Sequence, residues 1–230
     1  MQLECTDLDF FYPGTGKLIL NRLSLSLDEP GFHAFFGPSG VGKTSLARLL
    51  CGMANPAAGS VRSRGLDTFF YSYNLERLPG WSSVGRHLER ITPPGKTEEK
   101  DALLRSFDLT GCLHQRFAQL SLGQQNRVNL IRYLVQDFDV LIMDESLANV
   151  DEMTRERILL TIKEMYPRLL FIYISHNVVE VARFCRQIWV LRDPAKTPQA
   201  VNVTGRDMRS DAPPDQETLQ RTMLEIMNAV

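Results

Sequence analysis

The stretch GPSGVGKTS, residues 37–45, decides the fold of this chain. It fits the pattern G-x-x-x-x-G-K-[ST], whose glycines let consecutive backbone N–H groups point inward at one phosphate chain. The apolar run GFHAFFG leads into it, and KTSLARLLCG follows with a helical pattern in which Gly52 takes the closing position. A Gly-rich turn that matches by chance would lack these flanks. The stretch therefore predicts a phosphate-binding loop between a buried strand and a helix.

The side chains of this loop are expected to have different roles in binding. Lys43 supplies a mobile positive charge for the β- and γ-phosphates, and Thr44 offers a hydroxyl to Mg²⁺. The helix that begins here adds its positive N-terminus. The residues expected to bind a nucleotide phosphate chain in this loop are Gly37, Pro38, Ser39, Gly40, Val41, Gly42, Lys43, Thr44 and Ser45.

The composition, 43% hydrophobic and 23% charged, is that of a globular protein, and 230 residues are enough for one sizeable domain or for a core with a subdomain. A net charge of −1 gives no global basic field, so we expect no nucleic-acid partner. The first residues are acidic where a secretion signal would be basic and then apolar. The four cysteines are scattered without a CxxC pair, which favours a reducing compartment over a metal knuckle.

The order of apolar segments predicts an α/β protein. Leucines at 23, 25 and 27 alternate with serines, as in a half-buried strand, and the region from 81 to 135 is helical. After it, apolar strands alternate with helices, which implies a parallel sheet. We expect one α/β domain over residues 1–193 with a helical subdomain at about 75–135. Residues 194–230 are expected to hold a strand or linker and a short helix.

Two polar sites follow buried strands further along. Asp144 ends the run VLIMD, where open α/β sheets bind ligands, and is a natural anchor for Mg²⁺. Glu145 is placed to orient or deprotonate an attacking water, although alone it could be an ordinary solvated carboxylate. His176 follows LLFIYIS and can reach a γ-phosphate. The alternative for His176 is a helix N-terminal position with Ser175 as the cap.

A second small-residue turn, QLSLGQQNR at residues 119–127, precedes a helix and looks like an anion site without a ligand of its own. Taken with this turn, the motifs resemble the ATP-binding subunit of ABC transporters over essentially the whole chain to about residue 193. Leu120–Leu134 match the signature LSGGQ and its helix, Val140–Glu145 match Walker B with its catalytic glutamate, and Ala148–Asp151 match the D-loop. Tyr12 matches the aromatic that stacks on adenine, and His176 the switch histidine.

The resemblance implies a P-loop NTPase with a RecA-like parallel sheet core, an N-terminal antiparallel β subdomain and an inserted α-helical subdomain. It implies ATP and Mg²⁺ as ligands, with Glu145 and His176 catalytic and with Thr44 and Asp144 at the metal. Its ATPases close head to tail, so that the signature of one subunit completes the site of the other. The further residues implied to bind ATP are Tyr12, Asn74, Ser121, Gly123, Gln124 and Asp151.

The implied partners are a second ATP-binding subunit in a homodimer, transmembrane permease subunits and a substrate-binding protein, with no nucleic acid. The implied place is the cytoplasmic face of the cell membrane, as a peripheral subunit. The segment YNLERLPGW, residues 73–81, resembles the nitrate, sulfonate and taurine importer group and puts Asn74 at the Q-loop position. A plain turn with a packed tryptophan is the alternative for LPGW.

Three residues depart from the family pattern. Leu122 replaces the first signature glycine, which costs little if its φ is negative, the case we favour because Gly123 remains. Asn74 is one methylene shorter than glutamine and is expected to reach Mg²⁺ or the attacking water, through a bridging water if needed. Ser146 replaces a proline, with a minor expected effect because a backbone N–H is restored.

Two other functions are alternatives for a chain with these motifs. An ABC-type ATPase of DNA repair, chromosome structure or translation would act without a membrane partner, but such chains typically carry long insertions that are not seen here. A P-loop kinase or GTPase leaves the turn at residues 121–124 unexplained.

Overall fold

The computed structural model describes residues 1–12, 14, 16–74, 76–78, 80–209 and 215–230. Strands and helices alternate through most of this part of the chain. Its strands are β1 (Gln2–Phe11), β2 (Leu18–Leu27), β3 (Gly31–Phe36), β4 (Ala58–Arg64), β5 (Phe69–Tyr73), β6 (Val140–Asp144), β7 (Leu170–Ile174), β8 (Gln187–Leu191) and β9 (Ala200–Thr204). Its helices are α1 (Lys43–Leu50), α2 (Val84–Ile91), α3 (Thr97–Ser106), α4 (Leu122–Leu134), α5 (Glu152–Met165), α6 (Val178–Phe184) and α7 (Gln216–Ala229).

The central sheet has six strands in the order β5-β6-β7-β3-β8-β9. The first five are parallel and β9 is antiparallel to β8, so the predicted parallel core is confirmed. Every residue of β6 and β7 is buried, which explains their continuous apolar sequences. Because parallel strands end at one edge, the residues that follow β3, β6 and β7 meet there.

The N-terminal subdomain is a three-stranded antiparallel sheet in the order β2-β1-β4. Leu23, Leu25 and Leu27 are buried and the serines between them point outward, as the alternation predicted. Strand β4 has no sequence pattern that predicts it, because none of its residues is fully buried. Backbone pairing with β1 forms it, from Gln2 opposite Arg64 to Asp9 opposite Ala58.

The region between β5 and β6 is helical, as expected, and contains α2, α3 and α4. Residues 92–96 separate α2 from α3, and two short 3₁₀ turns, Thr110–Cys112 and Phe117–Gln119, lead into α4. Residue 75, where the helical subdomain was expected to begin, lies outside the described residues. Its boundaries therefore stay a prediction.

The C-terminal segment packs on the same core. Strand β9 extends the central sheet, and Ile226 of α7 is fully buried in the cluster that also holds Val181 of α6. The part of the expected linker at 210–214 lies outside the described residues, and the boundary after 193 stays a prediction. None of the helices in the described ranges is both long enough and apolar enough to cross a membrane.

Candidate active site

The phosphate loop joins the end of β3 to α1, as the sequence predicted. Gly42 has φ +105° and is the N-cap of α1, and a Cβ there would lie 2.8 Å from Leu20 Cδ2. Only glycine fits this left-handed and crowded position. The N-terminus of α1 therefore opens toward the cleft, where its first-turn N–H groups can meet phosphate oxygens.

Lys43 is buried and folded onto its own loop. Its Nζ donates to the carbonyl oxygens of Gly37 at 2.7 Å and Pro38 at 2.8 Å. Burial lowers the pKa of Lys43, and the carboxylates of Glu145 and Asp144 oppose this shift. The ammonium is thus fixed within the loop on the side of the cleft that carries both carboxylates.

The two residues expected at the metal are in direct contact. Asp144, the last residue of β6, accepts a hydrogen bond from Thr44 Oγ1 at 2.8 Å on its Oδ2. The same oxygen accepts from the hydroxyl of Tyr71 at 2.7 Å. A hydroxyl beside a carboxylate supplies the hard oxygen donors that Mg²⁺ prefers, so these residues fit the implied metal.

Tyr71 was not identified from the sequence. It lies on β5 opposite Ile142 of β6, and only the strand register reveals that its hydroxyl reaches Asp144. Burial and the hydrogen bond to Asp144 raise the pKa of Tyr71 well above its usual range, so it remains a hydrogen-bond donor. Tyr71 therefore fixes the orientation of the Asp144 carboxylate.

Glu145 and His176 meet at the mouth of the cleft. His176 Nε2 lies 2.7 Å from Glu145 Oε1, and both side chains are partly exposed to solvent. Glu145 has φ +52°, a left-handed conformation that costs about 1–2 kcal/mol for a residue with a Cβ. Strain of this kind concentrates at functional sites, because surrounding structure must hold the residue in place.

The alternative for His176 was a helix N-terminal position with Ser175 as the cap, and the predicted cap is wrong. The N-cap of α6 is Asn177, whose side chain accepts from the N–H groups of Val179 and Glu180. Ser175 instead accepts from the Asn177 N–H and donates to the buried carboxylate of Glu180. His176 is therefore left to face Glu145 rather than the helix.

Tyr12 lies over the same cleft. Its hydroxyl is 2.8 Å from Ser45 Oγ, and its ring packs edge-on against Phe10. The cleft has a volume of about 290 Å³. Its lining consists of Tyr12, Ile19, Ser39, Gly40, Gly42, Lys43, Thr44, Ser45, Asp144, Glu145 and His176.

The signature residues lie outside this lining, at the start of α4. Ser121 is the N-cap: its Oγ accepts from Gln124 N–H at 3.2 Å, and Gln124 Oε1 accepts from Ser121 N–H at 2.9 Å. This capping box is exposed to solvent and leaves the hydroxyl proton of Ser121 available for donation. The turn is thus an exposed helix N-terminus that does not form part of the cleft of its own subunit.

Gly123 is needed for space rather than for its φ. A Cβ at this position would overlap the backbone carbonyl oxygen of Asn149 in the loop after β6. Leu122, in contrast, is the first helical residue of α4, has no left-handed φ and is half exposed. The favoured interpretation of Leu122 is confirmed: leucine is accommodated there without backbone strain.

We expect Leu122→Gly to leave kcat for ATP within about twofold of wild type. The backbone at 122 needs no glycine, and the replacement removes only a side chain, at a helix-propensity cost of about 1 kcal/mol. Steady-state ATPase assays and thermal unfolding of both proteins check this. A large gain in kcat for the glycine form would show that leucine impairs the signature.

Asn74 was expected to reach Mg²⁺ or the attacking water, but its side chain contacts α4 instead. Its backbone N–H donates to Asp144 O at 3.1 Å, which extends the β5–β6 pairing by one step. Its side-chain oxygen accepts from Asn126 of α4 at 2.9 Å, and the residue is not part of the cleft lining. The contact between Asn74 and Asn126 does not favour a role for Asn74 at the metal, and that role stays a prediction.

Asp151 and Ser146 bound the loop between β6 and α5. Asp151 is the N-cap of α5 and accepts from Thr154 N–H at 2.9 Å. The hydrogen bonds from the backbone and the side chain of Thr154 lower the pKa of Asp151. Ser146 is buried and its hydroxyl donates to Ser72 O at 2.9 Å. Serine in place of proline thus restores a backbone N–H, as predicted, and also adds a side-chain hydrogen bond to β5.

Comparison with known proteins gives a family match across more than half of the chain. A family model described as "ABC transporter" matches residues 20–148. Taurine import ATP-binding protein TauB of Pseudomonas fluorescens is 32% identical over 184 residues, 74% of this chain and 69% of that protein. Nickel import ATP-binding protein NikE of Rhodospirillum rubrum is 29% identical over 234 residues, 90% of this chain and 83% of that protein.

Another relative, spermidine/putrescine import ATP-binding protein PotA of Ruegeria pomeroyi, is 30% identical over 203 residues, 80% of this chain and 55% of that protein. The chain thus spans about half the length of the polyamine and iron import relatives that it matches. The predicted resemblance to importer subunits is confirmed, and a taurine import protein is among these relatives.

Solved structures support the fold. One described as "Structure of ATP binding subunit of ABC transporter" superposes with a TM-score of 0.79 at 20% identity, covering 99% of this chain and 100% of the other. A second, described as a bacterial Atm1-family ABC exporter with ATP bound, gives a TM-score of 0.79 at 22% identity, covering 99% and 41%.

Proposed function

The chain belongs to the ABC transporter family of ATP-binding subunits, and from that premise we propose that it binds and hydrolyses ATP to energise a membrane importer. The observation that carries the proposal is the cleft itself. It places the phosphate loop, Asp144, Glu145 and His176 around one space at the carboxyl edge of the central sheet.

The residues divide the chemistry among them. Lys43 and the N–H groups at the start of α1 hold the β- and γ-phosphates, and Tyr12 covers the loop where adenine would stack. Thr44 and Asp144 would hold Mg²⁺, which would neutralise the negative charge that develops on the phosphates. These groups bind and orient the nucleotide but leave the attacking water to be activated.

Glu145 activates that water in the proposed reaction. Its carboxylate accepts a proton as the water oxygen bonds to the γ-phosphorus and the bond to the ADP oxygen breaks. His176, which lies against Glu145 Oε1, holds the carboxylate in place and contacts the γ-phosphate. Loss of the γ-phosphate then removes the contact on which closure depends.

The second half of each site would come from a second copy. The capping box of Ser121 and Gln124, the N–H groups around Gly123, and Asp151 are all outside the cleft of their own subunit. A head-to-tail homodimer would bring them to the γ-phosphate of the partner. ATP then stabilises the closed dimer because its binding energy is complete only there.

The membrane partner would dock on the helical subdomain. A groove of about 400 Å³ beside the start of α4 is lined by Arg77, Leu78, Phe117, Ala118, Leu122 and Gln125. Trp81, nearby in sequence, is 73% exposed. Apolar side chains on a surface of this kind suit transmembrane permease subunits, which would hold this chain at the cytoplasmic face of the membrane. A substrate-binding protein would deliver the cargo of an importer.

Hydrolysis by the purified chain tests the proposal. We expect Mg²⁺-dependent release of phosphate from ATP, and a loss of at least about a hundredfold in kcat/KM for Lys43→Ala, which removes the charge held within the loop. Lys100→Ala, on α3 and outside the cleft lining, is the control and should retain wild-type rates. Absence of hydrolysis in the wild type, or stimulation by DNA or ribosomes, would contradict the proposed function.

A further inference from the structure

A single buried amide joins three segments of the site. Asn126 of α4 is 2% exposed, and its Nδ2 donates to Asn74 Oδ1 at 2.9 Å and to Ala148 O at 2.7 Å. Asn74 is itself bound through its backbone to Asp144. The amide of Asn126 thus links the helix of the signature, the end of β5 and the loop after Glu145.

The link to Ala148 is not needed to anchor α4. A second buried amide of this helix, Asn129, donates to Glu76 O at 2.6 Å. Arg132 Nη1 and the Tyr133 hydroxyl both reach Glu76 Oε1, at 3.0 and 2.9 Å. These three residues already hold the helix against the segment after β5. The hydrogen bond from Asn126 to Ala148 O therefore has a role other than anchoring α4.

The loop at residues 147–150 touches α4 at two points about one turn apart. Asn126 holds Ala148 O, and Gly123 packs directly beneath Asn149 O. Gly123 lies in the first turn of α4, next to the Ser121 cap. A shift of this loop therefore has to move the end of α4 that carries Ser121, because no gap separates the two.

We propose that Asn126 is a positioning residue that couples the nucleotide site of one subunit to the signature that the same subunit presents to its partner. The coupling runs from Asp144 through Asn74 to Asn126, and from Asn126 to the loop at 147–150. Asn74 therefore acts on Asn126 rather than on the metal. This inference rests on the proposed function for its consequence in catalysis.

A double-mutant cycle of Asn74→Ala and Asn126→Ala tests the coupling. We expect each single variant to lower kcat by about tenfold with KM for ATP within about twofold of wild type, and the double variant to lose no more than either single. Asn129→Ala, a buried amide on the same helix, is the matched control and should keep kcat within about threefold of wild type. The Mg²⁺ concentration for half-maximal rate should be unchanged in all four.

Losses that multiply in the double variant would overturn the coupling, as would a raised Mg²⁺ requirement confined to Asn74→Ala. Amide hydrogen exchange without nucleotide gives a readout independent of hydrolysis. Asn126→Ala should speed exchange at residues 147–150, whereas Asn129→Ala should not. Unchanged exchange at residues 147–150 in Asn126→Ala would contradict the inference. If the variants show the expected exchange but the wild-type protein hydrolyses no ATP, the proposed function is contradicted instead.

Discussion

Replacement of Glu145 by glutamine is expected to lower kcat for ATP by about a hundredfold or more while leaving ATP affinity close to wild type. The amide can still accept a hydrogen bond but cannot take a proton from water, and general-base catalysis contributes about 10²–10⁴-fold. The backbone at Glu145 and its neighbour His176 need not move, because glutamine has the same shape.

The same variant should accumulate as a dimer with ATP, because closure no longer ends in hydrolysis. Single-turnover hydrolysis and sedimentation with and without ATP measure the two effects. Glu164→Gln, at an exposed carboxylate of α5, is the matched control and should behave as wild type. Turnover near the wild-type rate in Glu145→Gln would reject Glu145 as the base.

Ser121→Arg should abolish most hydrolysis without weakening ATP binding by the single subunit. The arginine side chain would stand at the open N-terminus of α4 and occupy the place of the partner's γ-phosphate. Ser121 lies outside its own cleft, so the affinity of the monomer for ATP should stay within about twofold of wild type. Loss of transition-state donors of this kind lowers kcat by about 10²–10³-fold.

A second serine provides a matched control for this substitution. Ser83 is the N-cap of α2 in the same helical region, and its Oγ accepts from Arg86 N–H. Ser83→Arg removes a cap, at a cost of about 1 kcal/mol, without touching the signature. It should therefore lower stability slightly and leave kcat intact. Tight ATP-dependent dimers of Ser121→Arg would contradict the proposed role of Ser121.

The parts of the site that the sequence predicted are those whose chemistry lies in short contiguous stretches. The phosphate loop, Asp144 and Glu145 follow apolar strands directly, and the parallel topology then brings them together. His176 was placed by the same rule. These predictions needed only the strand ends and the convergence of parallel strands at one edge.

The residues that the sequence did not predict act through register and through contacts between distant segments. Tyr71 reaches Asp144 only because of the pairing of β5 with β6, and no local pattern marks it. Asn126 looks like any polar residue of a helix until α4 is placed against Ala148. Gly123 was predicted only as part of the signature, and no local pattern showed that the approach of Asn149 excludes a side chain there.

Strand β4 was missed for a related reason. Its seven residues, Ala58–Arg64, contain no fully buried side chain, so they lack the alternation that marks a half-buried strand. Its existence depends on the backbone of β1, which supplies an antiparallel partner along most of its length. Such strands cannot be predicted from their own side chains.

The central claim is that each nucleotide site is built from two copies of this chain, and mixing two inactive variants tests it most directly. In a mixed dimer of Lys43→Ala and Ser121→Arg, one site combines both defects and the other combines an intact Lys43 with an intact Ser121. The mixture should therefore hydrolyse ATP at a rate that neither variant reaches alone. A mixture no more active than the sum of its separate components would contradict the account.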